Sequence, residues 1–210
     1  PLLTATSRAW AEAALADPLA LLDDHAHLER KAALGALALM PRWPAPRGAG
    51  EPVGEALEAS QHWARVLTGI ARDEIEHLRT VLRILERRGR APTRVHRNDY
   101  AAALRRLVRE GCGANEMVDR LLVSALIEAR SCERFVRLGD VAEDDELRRL
   151  YRGLEASERG HYRVFFELAE RYPGATDVDA RWRELLEAEA VILRAQAPGP
   201  RMHARDPGGD

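Results

Sequence analysis

The stretch ARDEIEHLRT, residues 71–80, puts an acid and an imidazole where apolar residues belong. Around it Leu67, Ile70, Val81 and Ile84 recur at helical spacing and form one stripe, with Glu74 and His77 in its middle. Asp73 and Glu76 fall on other faces. Residues three apart on a helix are neighbours, so Glu74 and His77 present two ligating groups side by side toward the core.

The pattern recurs along the chain. Leu147, Leu150, Leu154, Phe165 and Leu168 form a second stripe, with Glu158 and His161 at its centre. Two more segments carry one stripe acid each. Glu29 sits among Leu22, Ala26, Ala33, Ala36 and Met40. Glu128 sits in IEARSCERF (127–135), between Ala125 and Cys132, while Glu133 faces out. A buried carboxylate without a partner costs several kcal/mol. Four in one core repel one another, and no lysine or arginine shares the stripes near them. Two divalent cations neutralise four carboxylates. One Glu from each of two helices, with Glu-x-x-His from each of two others, is the ligand set of dimetal carboxylate bundles with the ferritin-like topology. The spacing therefore predicts metal ligation by Glu29, Glu74, His77, Glu128, Glu158 and His161. Oxygen and nitrogen donors without thiolate suit iron or manganese, and zinc less specifically. Cys132 reads as a small core residue. His25, one turn before Glu29, reads as a partly exposed histidine, with support of the ligand as the alternative. Trp43 reads as a loop anchor, with a place at an entrance as the alternative.

The rest of the sequence frames these stripes. The chain has 210 residues, 46% hydrophobic and 31% charged, with 5% aromatics. Such Ala-, Leu-, Arg- and Glu-rich composition favours helix over sheet. Helical periodicity predicts long segments over about 17–40, 54–88, 114–139, 143–171 and 178–195, and a shorter helix over 99–110. Asp17-Pro18 reads as a helix start, Gly89 as a stop, and the Pro- and Gly-rich stretch 41–52 as a loop. The result is an all-α fold: a ferritin-like four-helix bundle with a long crossover between its second and third helices and an extra C-terminal helix. Residues 1–195 are expected to form one dimetal bundle domain and 196–210 a disordered tail. No apolar run has transmembrane length, no signal-peptide pattern is present, and Cys112 and Cys132 make no disulfide framework. The expected setting is cytoplasmic, with no membrane partner. Net charge is −2, so bulk charge announces no nucleic acid. Locally, residues 83–97 hold six arginines against one glutamate. They read equally as a phosphate-holding patch or a solvated helix end.

Together, DDHAHLERKAALGAL (23–37), DEIEHLRTVLRILERRG (73–89), DYAAALRRLV (99–108), DRLLVSALIEARSCERF (119–135) and ASERGHYRVFFELAERY (156–172) resemble the tRNA-(2-methylthio-N6-isopentenyladenosine) hydroxylase family. This MiaE-like family lies within the ferritin-like di-iron superfamily. The resemblance implies a non-haem di-iron monooxygenase with two Fe ions on the six stripe residues. It would use dioxygen and two electrons from a redox protein to hydroxylate the isopentenyl side chain of the modified adenosine. The implied partners are a tRNA anticodon stem-loop and that electron donor, with Arg87, Arg88, Arg90, Arg94 and Arg97 as candidate tRNA contacts. In the first helix the sequence departs from the family pattern: the glutamate follows His27-Leu28, and only Lys31 remains of the lysines after it. Two rival readings stand beside this one: a ferritin-like di-iron or manganese oxidase or oxygenase acting on a small molecule, and a non-catalytic RNA-binding helical bundle.

Overall fold

A computed structural model describes residues 2–43 and 53–207. Among them there are seven α-helices and no strand: α1 (Arg8–Leu15), α2 (Pro18–Leu39), α3 (Val53–Arg87), α4 (Asp99–Arg105), α5 (Ala114–Val141), α6 (Asp145–Glu170) and α7 (Val178–Arg194). The helix pairs α2/α3 and α5/α6 form the four-helix bundle. Its long α3–α5 crossover contains α4, as the ferritin-like topology requires.

Local chemistry sets the ends. Pro18 occupies the first turn of α2, and the Asp17 side chain accepts from Ala20 N–H. Gly89 closes α3 with φ of 68°, a conformation that suits glycine, while Arg90 N–H bonds back to the Leu85 carbonyl. Asp144 caps α6 by accepting from the N–H groups of Glu146 and Leu147. Near the α5–α6 turn the helices run close: a Cβ on Gly139 would stand 2.9 Å from Arg152 Cγ.

The apolar core comes in two parts. One end gathers Trp63, Leu67, Leu121, Leu122 and Phe165. The other gathers Leu21, Leu22, Val81, Leu138 and Tyr151. Between them lies the belt of glutamates and histidines. Helix α7 buries Leu185, Leu186 and Leu193 on the first part, so its apolar face is covered by its own bundle. Trp43 packs against Trp63 and Tyr172, with ring centroids 5.2 and 5.8 Å away, and so anchors the end of the α2 segment.

Three features differ from expectation. Helix α1 is absent from the periodic segments because it is only eight residues long, with Trp10, Ala11 and Ala14 as its buried face. The crossover helix stops at Arg105, short of residue 110, because Arg109 is drawn to Asp119 by hydrogen bonds of 2.7–2.9 Å. Finally, 196–207 is no loose tail. Met202, His203, Ala204 and Asp206 are buried. Buried Arg134 donates to the Met202 and Ala204 carbonyls, and Asp24 accepts from Met202 N–H at 2.9 Å. His203 stacks on Tyr100, 4.4 Å between centroids. Side chains distant in sequence satisfy this backbone, which is why no local periodicity marks it.

Candidate metal centre and substrate cavity

All six stripe residues meet at mid-height of the bundle. One group joins Glu29 of α2 with Glu74 and His77 of α3 and Glu158 of α6. A second joins Glu74, Glu128 of α5, Glu158 and His161. Within each, ligating atoms lie within 4.8 Å of one another, and Glu74 and Glu158 belong to both. His77 Nδ1 stands 3.6, 3.5 and 3.3 Å from carboxylate oxygens of Glu29, Glu74 and Glu158. His161 Nδ1 stands 2.7 Å from Glu74 Oε1. The four glutamates are between 1 and 6% exposed, so water does not screen their repulsion.

The electrostatics record that crowding. Burial, then Glu158, pushes the Glu74 carboxyl up to about 8. Burial with Glu158 and Glu74 pushes Glu128 well above the carboxylate range. Burial disfavours a charged His77, yet Glu158, Glu29 and Glu74 together push it up to about 12. Glu29 goes the other way: burial opposes its charge, but His25 holds it below the usual range. His25 is 1% exposed, bonds Glu29 Oε1 through Nε2 at 2.5 Å, and lies against Phe135 and Tyr151. It is thus a buried support for Glu29 rather than a partly exposed residue. His161 Nε2 is within 3.4 Å of Ser157 Oγ and 3.5 Å of Asp73 Oδ2, although the helical position of Asp73 alone aimed it elsewhere.

A test of fit comes from the atoms that stay unpaired. Among the described residues, Glu74 Oε1, Glu158 Oε1, His77 Nδ1 and His161 Nδ1 are buried without a hydrogen-bond partner. Glu74 Oε1 and His161 Nδ1 are close but out of line for a bond. Native cores rarely leave such atoms orphaned. Four of them, two from α3 and two from α6, are the lone pairs a pair of cations would take, so the donor set fits a metal site. Cys132 is outside both groups. Its thiol points to the Glu155 carbonyl at 3.6 Å.

A cavity reaches this centre between α2, α4 and α5. Glu29, Glu74, Glu128 and Glu158 form its inner end, and Lys31 of α2 and Arg105 of α4 also line it. Ala32, Gly35 and Ala36 leave room on the α2 side, and Met202 and His203 of the C-terminal segment complete the wall. Arg30, Arg105 and Arg201 lie near enough to Lys31 to disfavour its charge, after burial itself. The mouth is therefore basic. Lys31 is held by His96, whose other ring nitrogen bonds Asp24.

The arginines singled out from the sequence are placed differently. Arg87 and Arg88 reach the start of α6, with contacts of 2.5 and 3.0 Å to Glu146 and of 2.7 Å from Arg88 to Asp144. Arg97 pairs with Asp99 at 3.3 Å. Only Arg90 and Arg94 have no partner among the described residues. None of the five lines the cavity. Of the cavity residues, Lys31 stands out in the sequence two positions after Glu29, but nothing marks Met202 and His203, because their segment carries no pattern.

Fold and cluster together define a ferritin-like bundle protein with an internal carboxylate–histidine cluster suited to hold metal. Among solved structures, the chain resembles one described as protein 43 with aldehyde deformylating oxygenase activity from Synechococcus, at 37% identity and a TM-score of 0.83 over 100% of this chain and 97% of that one. The model of the family described as tRNA-(MS[2]IO[6]A)-hydroxylase (MiaE) matches residues 1–204, and the chain belongs to that family. A tRNA 2-(methylsulfanyl)-N(6)-isopentenyladenosine(37) hydroxylase of Pseudomonas putida is 39% identical over 96% of this chain and 91% of its own length. The Salmonella typhimurium protein of the same description is 30% identical over 69% of this chain and 54% of its own.

Proposed function

We propose that this chain is a dioxygen-dependent monooxygenase that hydroxylates the isopentenyl side chain of 2-methylthio-N6-isopentenyladenosine in tRNA. Its proposed centre is a pair of iron ions held by Glu29, Glu74, His77, Glu128, Glu158 and His161. The observation that carries the reading is the complete set of four glutamates and two histidines, gathered around orphaned atoms in a member of this hydroxylase family. When bound, the metal pair supplies the activation of dioxygen that lets one oxygen atom enter a C–H bond.

The chain's own residues do the rest. His25 fixes Glu29, and Ser157 with Asp73 flanks the outer nitrogen of His161, so these two residues are supported before substrate arrives. Leu28, Ile127, Phe135 and Phe165 give the cavity apolar wall suited to an isopentenyl group. The cavity holds about 70 Å³, against about 300–1,000 Å³ for an open ligand pocket. Its rim side chains must therefore swing aside for a hypermodified base that has left its stack. Lys31 and Arg105, with Arg30 and Arg201 nearby, stand where the RNA backbone would follow that base, and they replace Arg87, Arg88 and Arg97 as the favoured phosphate contacts. With no helix long and apolar enough to cross a membrane among the described residues, nothing in the helices opposes a cytoplasmic place of work.

The test is nucleoside analysis of tRNA from cells with and without this protein, backed by purified iron-loaded protein acting on modified tRNA. Hydroxylated nucleoside that appears only with the protein is the expected result, and an unchanged nucleoside profile refutes the substrate. The 37% identical structural neighbour named for aldehyde deformylating oxygenase activity gives a second reading, a small aldehyde as substrate. Incubation of the iron-loaded protein with a small aldehyde, read as loss of that aldehyde, separates the two.

A further inference from the structure

Hydroxylation by dioxygen consumes electrons that no residue here supplies: R–H + O2 + 2 e− + 2 H+ gives R–OH + H2O. The place where those electrons enter is inferred here on the footing of the hydroxylase reading. A second concavity, about 650 Å³, runs between α5, α6 and α7 and shares no lining residue with the substrate cavity. Ala129, Cys132 and Val136 of α5, Tyr162 of α6 and Trp182 of α7 make a largely apolar floor. Arg137, Arg159 and Arg163 stand exposed around it.

Charge at this groove is one-sided. Its single lining acid, Glu133, has both oxygens occupied, by Thr6 N–H and Oγ at 2.5 Å and by Arg130 at 2.8 Å. Arg163 has no partner among the described residues. Arg137 uses only its Nε, bonded to the Thr6 carbonyl at 3.0 Å. Arg159 alone is neutralised, by Glu155. An apolar floor ringed by cations is complementary to an acidic protein.

Position adds a second reason. Cys132 lies one turn beyond Glu128, and Tyr162 one turn beyond Glu158 and next to His161. At 1.5 Å and 100° per residue, each is about 6 Å along and about 40° round from its ligand. The groove floor and the proposed metal belt thus share the same turns of the same two helices. A protein docked here approaches the centre to within roughly one helix diameter, about 10 Å. Substrate enters from the other side, between α2, α4 and α5, so donor and tRNA do not compete for space.

We propose that this α5–α6–α7 groove docks an acidic one-electron carrier protein of the ferredoxin class. Two reduced carriers are each oxidised by one electron per hydroxylation. The groove is small, as suits a transient redox encounter.

The test compares the full chain with a triple variant, Arg137→Glu, Arg159→Glu, Arg163→Glu, and with Ala129→Trp, which fills the floor without changing charge. The probe is a plant-type [2Fe–2S] ferredoxin. Its binding is measured by calorimetry on metal-free and iron-loaded protein, and its electron transfer to the iron-loaded protein by stopped flow. Expected is a loss of about tenfold or more in ferredoxin affinity and transfer rate for the triple variant, a smaller loss for Ala129→Trp, and weakening by salt. Melting temperature, reduction by dithionite and tRNA affinity should stay unchanged. Ferredoxin binding that is absent, or equal in wild type and variants, overturns the proposal. So does a fall in tRNA affinity, which would make the groove an RNA surface. Groove-dependent ferredoxin binding without any hydroxylated nucleoside would instead support the docking site and count against the tRNA substrate.

Discussion

Helix α5 carries two buried polar regions on opposite faces, and they are built on different principles. On one face, fully buried Arg130 meets fully buried Glu189 of α7 through two hydrogen bonds of 2.9 and 3.0 Å. Tyr100 of α4 donates to the same glutamate at 2.9 Å, and Arg130 also reaches Glu133 and the Thr4 carbonyl at 2.8 Å. Cation, anion and hydrogen bonds balance within the chain. Two residues earlier on the helix, Glu128 joins three other glutamates and two histidines, and of that set Glu74, Glu158, His77 and His161 each keep a buried atom without a hydrogen-bond partner. The first region is complete when the chain folds; the second is completed by something the chain does not contain. Buried charge is thus used once as an internal tie and once as an invitation to a cation.

Breaking the first region should cost the most stability. Arg130→Ala leaves Glu189 buried without its cation and is expected to destabilise the protein by about 3–5 kcal/mol, by the same amount with metal as without, in urea unfolding. Replacing both partners, Arg130→Met with Glu189→Leu, should recover most of that loss. A metal-dependent effect would mean the two regions are one network.

The second region should respond to pH most strongly while metal-free. Glu74 is raised from 4.5 to about 8 and His77 from 6.5 to about 12, so across these ranges the folded state holds more protons than the unfolded. Stability therefore falls as pH rises from 5 to 9. Glu29, shifted downward, acts only below pH 4.5 and does not offset this. The melting temperature of metal-free protein is expected to drop by about 5 °C or more over that range, and that of metal-loaded protein to drop less. A flat metal-free profile would show the acids are not crowded.

The smallest effect belongs to His25, which touches a proposed ligand without being one. His25→Phe keeps the packing against Phe135 and Tyr151 but loses the bond to Glu29. Metal affinity should fall about 10- to 100-fold, measured by competition with a chelator, while the fold persists. An unchanged affinity would limit His25 to packing.

The contrast between the regions also explains how much the sequence disclosed. The belt is legible because its residues recur at helical spacing inside apolar stripes, a local signal repeated four times. The bundle and its crossover come from the same stripes. Arg130 and Arg134 give no such signal. An arginine on a helix reads as solvated until its partner is known, and Glu189 and the Met202 carbonyl are far away in sequence. The segment 196–207 stays hidden for that reason, since its order rests largely on Arg134, Asp24, Tyr100 and Ser7, all distant in sequence. His25 reads as exposed from sequence because its burial depends on Phe135 and Tyr151, supplied by two other helices. Arg87 and Arg88 look free for phosphate because the acids that pair with them, Asp144 and Glu146, lie across a helix junction.

Anaerobic titration of the metal-free chain with ferrous iron, followed by thermal melting at each addition, tests the cation requirement most directly. Crowded, cation-seeking acids predict saturable uptake of two equivalents per chain and a melting temperature about 10 °C higher at saturation. Absence of stoichiometric uptake, together with an unmoved melting temperature, would contradict that requirement.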